Sequence, residues 1–341
     1  HGVRRTRQTS EAVEARKQRE QSRLKEYLSL TDHVLAKKKS RDWSKDAFEA
    51  TSRLLQINPE FYTIWNYRRN IMLHGLFVNS PPEVINDILS EDLSMTAAAL
   101  KAHPKVYTLW NHRSWCLENV PDGPGDSRDW KKANWSRELA IVEKMLDADA
   151  RNFHAWSYRR YVLASMPEQR PETAELAYTM RKIEANFSNF SAWHQRSKVY
   201  TSMWGSGKLN KDKCIEEELE LVKNALYTDP NDQSAWLYHR WLVDAGQNRH
   251  ILESEINAIE ELLEEDPGSK WCIESLVHYK RLLVRNHAAV IGKEQAEKLH
   301  RQCIDMLQQL QTLDPPRKRR YQDIREFGLC RALNLLTSST W

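Results

Sequence analysis

One short pattern, rewritten along the chain, constrains its fold more than any other feature. NPEFYTIWNYRR (58–69) returns as HPKVYTLWNHRS from His103, ADARNFHAWSYRR from Ala148, NFSNFSAWHQRS from Asn186 and DPNDQSAWLYHR from Asp229. A weaker copy, DPGSKWCIESL, starts at Asp266. Counted on Trp65, Trp110, Trp156, Trp193, Trp236 and Trp271, the steps are 45, 46, 37, 43 and 35 residues. A unit that recurs at this spacing is too small to bury its apolar face alone. The copies must therefore stack as an array of supersecondary units.

Each copy predicts a helical hairpin. The first member is amphipathic, as in SKDAFEATSRLLQI, where Ala47, Phe48, Thr51, Leu54 and Leu55 form a stripe. An Asn-Pro, His-Pro or Asp-Pro then ends it, because the residue before proline resists the α region. The same dipeptide is expected to open the second helix, with proline at its first position. On that second helix an aromatic at −3 shares a face with the tryptophan, which predicts that both enter the seam between helices. The arginines at +3 and +4 are expected to reach acids or carbonyls of neighbouring helices. Further first members are predicted at 82–101, 130–146, 172–185, 211–227, 249–264 and 293–312, with a last helix over 321–336. Residues 121–129 and 204–210 read as irregular connections. Before the array come a basic arm (1–9) and a lone helix (10–38). No stretch alternates like a strand. The reading is all-α: one lone helix and about seven hairpins in a single domain of residues 1–341, with repeats over 44–336.

The net charge of +4, from 51 basic and 47 acidic residues, is too small to argue for nucleic acid or membrane as a partner. Five cysteines with no CxxC point to reduced thiols and give no zinc framework. No run of 18 apolar residues and no signal segment is present, so a cytoplasmic location is expected. There is no Gly-rich phosphate loop, nucleophile elbow, dinucleotide fingerprint or HExxH. On its own the chain does not read as a complete enzyme.

Aligning the copies on tryptophan singles out position −5, which reads Glu60, Lys105, Arg151, Ser188, Asn231 and Asp266. Two adjacent copies place a cation there. Stacking would bring Lys105 and Arg151 together beside two helix N-termini, a combination suited to a phosphate or diphosphate. His154, at −2 where the other copies carry Thr or Ser, would add a donor. Composition alone favours the plainer reading of the same residues, as solvated turn positions. The tryptophans, fixed at one helical position in every copy, read as core. His1, on the basic arm, reads either as a ragged end or as a histidine able to ligate a metal held by another chain.

The repeated aromatic-x-x-Trp-x-x-Arg motif with its Asn-Pro-like lead resembles the α subunits of protein prenyltransferases, over essentially all of 10–336. That resemblance implies a crescent-shaped, right-handed α-α superhelix wrapped around a β subunit that holds the catalytic zinc and the lipid pocket. HPKVYTLWNHR resembles the copy whose lysine contacts the isoprenoid diphosphate, which puts the leaving-group role on Lys105 and an active-site wall on Tyr107. RNFHAWSYRR resembles the neighbouring copy near the diphosphate, with Arg151 keeping the charge, His154 the imidazole, and Phe153 standing where that copy has tyrosine. The glutamine by which the CaaX enzymes of the family read a C-terminal carboxylate is replaced by Thr108. The opening HG, basic arm and TSEAVEARKQREQSRLKEY helix look like the Rab geranylgeranyltransferase branch, in its short fungal-type form. In that branch the implied substrates are geranylgeranyl diphosphate and Rab GTPases brought by a Rab escort protein, and His1 is implied as a resting-state ligand to the partner's zinc. The rival readings are the α subunit shared by the CaaX enzymes and a non-catalytic helical-repeat scaffold.

Overall fold

The structure, a computed structural model, describes residues 9–244 and 246–328. His1, Cys330 and the second half of the predicted last helix lie outside the described residues. The chain divides into two compact units, His1–Arg170 and Pro171–Trp341. In the first, α1 (Ser10–Lys39) precedes three hairpins: α2 (Lys45–Ile57) with α3 (Tyr62–Ile71), α4 (Pro82–Ala102) with α5 (Tyr107–Glu118), and α6 (Asp129–Ala148) with α7 (Phe153–Ser165). The second holds α8 (Glu172–Ala185) with α9 (Phe190–Gly205), α10 (Lys211–Thr228) with α11 (Gln233–Val243), α12 (Arg249–Glu265) with α13 (Lys270–Ile291), and α14 (Lys293–Leu313) with α15 (Lys318–Asp323). The described residues contain no strand beyond an isolated bridge between Gly123 and Ser127. The expected all-α hairpin array is what the chain forms, with first members ending within two residues of the predicted positions. At the C-terminal end, α15 is short and passes into a π-helical turn over Ile324–Gly328, so the helix predicted from residue 321 instead begins at Lys318.

Two local expectations need correction. The X-Pro dipeptide does not open the second helix. Asn58, Asp149, Asn186 and Asp229 close the first helix, and each side chain accepts the backbone N–H two residues on, an Asx turn. The second helix starts one residue after a separate cap: Phe61, Val106, Asn152, Asn189, Asp232 or Ser269. The aromatic at −3 also fails to enter the seam. It is the first helical residue and projects past the end of its hairpin, leaving Tyr62, Tyr107 and Phe153 at 67, 62 and 66 % exposure. Tryptophan alone fills the seam. Its indole N–H closes the turn by donating to the carbonyl six residues back: Trp65 to Pro59 at 2.8 Å, Trp110 to Pro104 at 3.1 Å, Trp156 to Ala150 at 2.9 Å, Trp193 to Phe187 at 2.6 Å and Trp236 to Pro230 at 2.8 Å. One side chain thus fills the core and satisfies a turn carbonyl that no helix bond reaches.

The arginine at +3 bridges hairpins. Arg68 gives Nε to Asp92 of the next first helix at 2.8 Å and Nη1 to Thr51 of its own at 2.7 Å. Arg113 repeats this with Glu138 ahead, at 2.7 Å, and Thr96 behind, at 2.7 Å. Arg196 pairs with Glu218 at 2.7 Å, and Tyr200 and Tyr238 also donate to that carboxylate, at 2.8 and 2.6 Å. In the next copy His239 stands at +3 and meets Glu255 at 2.9 Å. These groups are buried. Removing one member of such a pair strands the other charge, at a cost of about 3–5 kcal/mol, whereas an exposed pair contributes about 0–1 kcal/mol. Arg113→Ala is therefore expected to lower unfolding free energy in urea by about 3–5 kcal/mol. Lys208→Ala, which breaks the exposed contact with Glu172, is expected to cost less than about 1 kcal/mol. Equal losses would contradict the bridging role.

Candidate functional site

The turns between paired helices are where the repeats stop being alike, and the α4–α5 and α6–α7 turns lie in one unit. Lys105 sits in the first of these, two residues ahead of α5, with its side chain 72 % exposed. Its Nζ lies 3.9 Å from Oδ2 of Asp149, the residue that closes α6, and Oδ1 of the same carboxylate accepts the Arg151 backbone N–H at 3.3 Å. A single carboxylate thus links the Lys105 side chain to the backbone of the α6–α7 turn. Both partners are largely exposed, so the pair is weak and leaves the ammonium available to a stronger anion. The Arg151 guanidinium is exposed and has no partner among the described residues.

His154 and Tyr107 meet edge to face, with ring centroids 4.3 Å apart. The imidazole is held below its ordinary pKa, first by burial and then by the Lys105 charge, so Lys105, Tyr107 and His154 occupy one neighbourhood. The structure brings Lys105 and Tyr107 of one copy together with His154 of the next, and shows no contact between the Arg151 guanidinium and these residues. It alters one part of the expectation, that both helix N-termini are open. At α7 the Asn152 side chain accepts the N–H groups of His154 and Ala155, at 3.0 and 3.2 Å. At α5 the cap residue is Val106, which has no side-chain acceptor to offer. The free first-turn N–H groups and positive dipole end are thus those of α5, beside Lys105.

Thr108 faces away from this role. Its hydroxyl donates to the Pro59 carbonyl at 2.5 Å, the same carbonyl that accepts Trp65. Ser269 makes the matching link to Pro230 at 3.3 Å. Position −2 ties one turn to the preceding one in these two copies; where His154 stands at −2, Asn152 Nδ2 makes the tie instead, donating to the Pro104 carbonyl at 3.3 Å.

Sequence reasoning missed Asp149 as a member of the site; an acid closing α6 between two cationic copies was the available signal. It also missed a buried group at Asp92, His112 and Cys116. Arg69 Nε donates to His112 Nδ1 at 3.3 Å, which leaves the proton on Nε2, facing Asp92 at 2.7 Å. Burial pushes His112 down to about 4, so it is neutral. Asp92 is also held by Arg68. With both imidazole nitrogens and the carboxylate engaged, this is a hydrogen-bonded core cluster whose donors do not fit a metal ion.

The protein prenyltransferase α subunit repeat matches residues 44–75, 89–120, 135–166, 173–203 and 215–246, each match running from a first helix into its second. The repeats are thus those of prenyltransferase α subunits. The chain is 34 % identical over 96 % of its length to the geranylgeranyl transferase type-2 subunit α of Schizosaccharomyces pombe, covering 98 % of that protein. It is 34 % identical to the Candida albicans protein of the same description, over 95 % of this chain and 96 % of that one. The chain belongs to the geranylgeranyl transferase type-2 α-subunit family. The Rattus norvegicus member is 37 % identical over 74 % of this chain and 43 % of that protein. Among solved structures, Candida albicans protein geranylgeranyltransferase-I complexed with GGPP shares the fold, with a TM-score of 0.66 at 21 % identity over 89 % of this chain and 90 % of that one.

The shared neighbourhood has a direct test. Titrating His154 by NMR, Lys105→Ala should raise its pKa toward the ordinary histidine value, because one of the two depressing influences is gone. An unchanged His154 titration would separate the two residues.

Proposed function

We propose that this chain, paired with a prenyltransferase β subunit, transfers geranylgeranyl groups from geranylgeranyl diphosphate to C-terminal cysteines of Rab GTPases presented by a Rab escort protein. Relatives of the type-2 description, matched over nearly the whole chain, support the class. The observation that carries the site is the meeting of Lys105, the uncapped start of α5 and the Tyr107–His154 ring pair. In this reading the zinc and the isoprenoid pocket belong to the partner, and this chain supplies the cationic rim that receives the diphosphate.

The chain's own chemistry is electrostatic. As the carbon–oxygen bond to the diphosphate breaks, negative charge grows on the departing oxygens. Lys105 displaces from Asp149 to meet that charge, the α5 N–H groups add fixed donors, and the Arg151 guanidinium and His154 imidazole border the same anion. Tyr107, exposed here, forms the wall beside them. Position 108 weighs against the CaaX enzymes: a threonine already bonded to Pro59 has neither reach nor a free amide with which to read a peptide carboxylate.

The test is single-turnover transfer by the α/β complex with geranylgeranyl diphosphate, a Rab and its escort protein. Lys105→Ala should slow the transfer step by about 10²–10³-fold, the usual cost of losing one donor to a developing anion, with Rab binding little changed. An unchanged single-turnover rate would remove Lys105 from the reaction. Modification of a CaaX peptide in place of the escorted Rab would reject the type-2 assignment.

A further inference from the structure

A second concentration of positive charge lies in the Pro171–Trp341 unit, remote in sequence from the Lys105 neighbourhood. Along α13, Glu274, His278, Arg281 and Arg285 are spaced four, three and four residues apart, so they form one helix face. At its lower end the charges are matched. Glu274 is approached by Arg240 of α11 at 4.0 Å, by Arg317 at 3.3 Å and by Arg320 of α15 at 2.9 Å. Arg317 has Asp314 as a second acid, at 2.6 Å.

The upper end has no such match. Arg281 is half-buried and has no carboxylate or hydrogen-bond partner among the described residues. Among the described residues Arg285 reaches only the side chain of its neighbour Asn286, at 3.1 Å. The Arg240 Nε is buried without a hydrogen-bond partner, although its Nη2 faces Glu274. His278, half-buried among Arg240, Arg281, Arg285 and Arg320, is pushed down to about 4 by burial and by those charges, so it stays neutral. Withdrawing guanidinium groups from water beside one another is unfavourable unless an anion completes the set. Among the described residues, Arg68, Arg113, Arg159 and Arg196 are buried and each has its acid, whereas Arg281 has none.

We propose that the α13 face bearing His278, Arg281 and Arg285, with Arg240 beside it, is a docking surface for an acidic peptide segment of a protein partner. Glu274 shows the ligand chemistry, since three arginines already converge on its carboxylate. Guanidinium forks match carboxylates two bonds at a time. From residue 278 to residue 285 the face runs about 10 Å at about 1.5 Å per residue. An extended segment of about three residues, at about 3.3 Å each, covers that length. Nucleic acid binding draws on a longer track of phosphate contacts than this short face offers. The proposal does not depend on the function assigned to Lys105.

Fluorescence anisotropy with a labelled hexaglutamate peptide and the full chain tests it. Saturable binding is expected, weakening as salt rises, at least fivefold weaker in Arg281→Gln/Arg285→Gln and unchanged in Lys105→Ala. Arg285→Gln alone, a change at an exposed position, should weaken binding in the same direction and guards against a folding defect in the double variant. Absence of saturable binding, equal binding by the variants, or loss of binding in Lys105→Ala would each overturn the proposal. So would tighter, equally Arg281-dependent binding of a single-stranded oligonucleotide or of anionic vesicles, which would assign the face to a different partner.

Discussion

The buried arginine at +3 is the interaction on which the rest depends. Arg68, Arg113 and Arg196 each reach backward to their own first helix and forward to an acid on the next, so a single side chain fixes two helix contacts at once. Such pairs owe little net stability to their attraction, because desolvating both charges offsets most of it. Their effect is on register. A hairpin that slides by one residue leaves a guanidinium and a carboxylate buried apart, and that penalty selects one stacking among the many that a merely apolar seam would accept.

A register fixed in the core frees the turns. Most turns are closed from within, by an Asx side chain at one end, the tryptophan N–H at the other, or both, which frees the residues between them to vary. Those positions hold Glu60, Lys105 and Arg151 in successive copies, and the exposed aromatics Tyr62, Tyr107 and Phe153 follow two residues later. The same scaffold therefore presents different chemistry at each turn. The anion site we propose lies where Lys105 flanks the uncapped start of α5 and His154 of the next copy meets Tyr107.

Much of this was legible in the sequence, because tryptophan spacing and X-Pro dipeptides are local signals that report helix ends directly. The approach of Lys105 and Tyr107 to His154 of the next copy was legible too, since stacking brings like turns together. The acid partners were harder to see. They follow the tryptophans at unequal distances, because the connections between copies differ in length. Their signal was present in another form: Asp92, Glu138, Glu218 and Glu255 each have buried residues at −3, +1 and +4, which places a carboxylate in the middle of a buried stripe. The position of the −3 aromatic was misread for a geometric reason. Helical spacing put Tyr62 and Trp65 on one face, but Tyr62 is the first residue of α3 and has no neighbouring helix beside it to pack against.

The central claim is that two adjacent copies build a single anion site. A double-mutant cycle on Lys105→Ala and His154→Ala, read as the single-turnover transfer rate of the α/β complex, tests it most directly. Groups that meet the same anion should couple, with the double variant departing from the sum of the single effects by about 0.5 kcal/mol or more. Effects that add to within about 0.3 kcal/mol would mean that the two residues act independently, and the shared site would not exist.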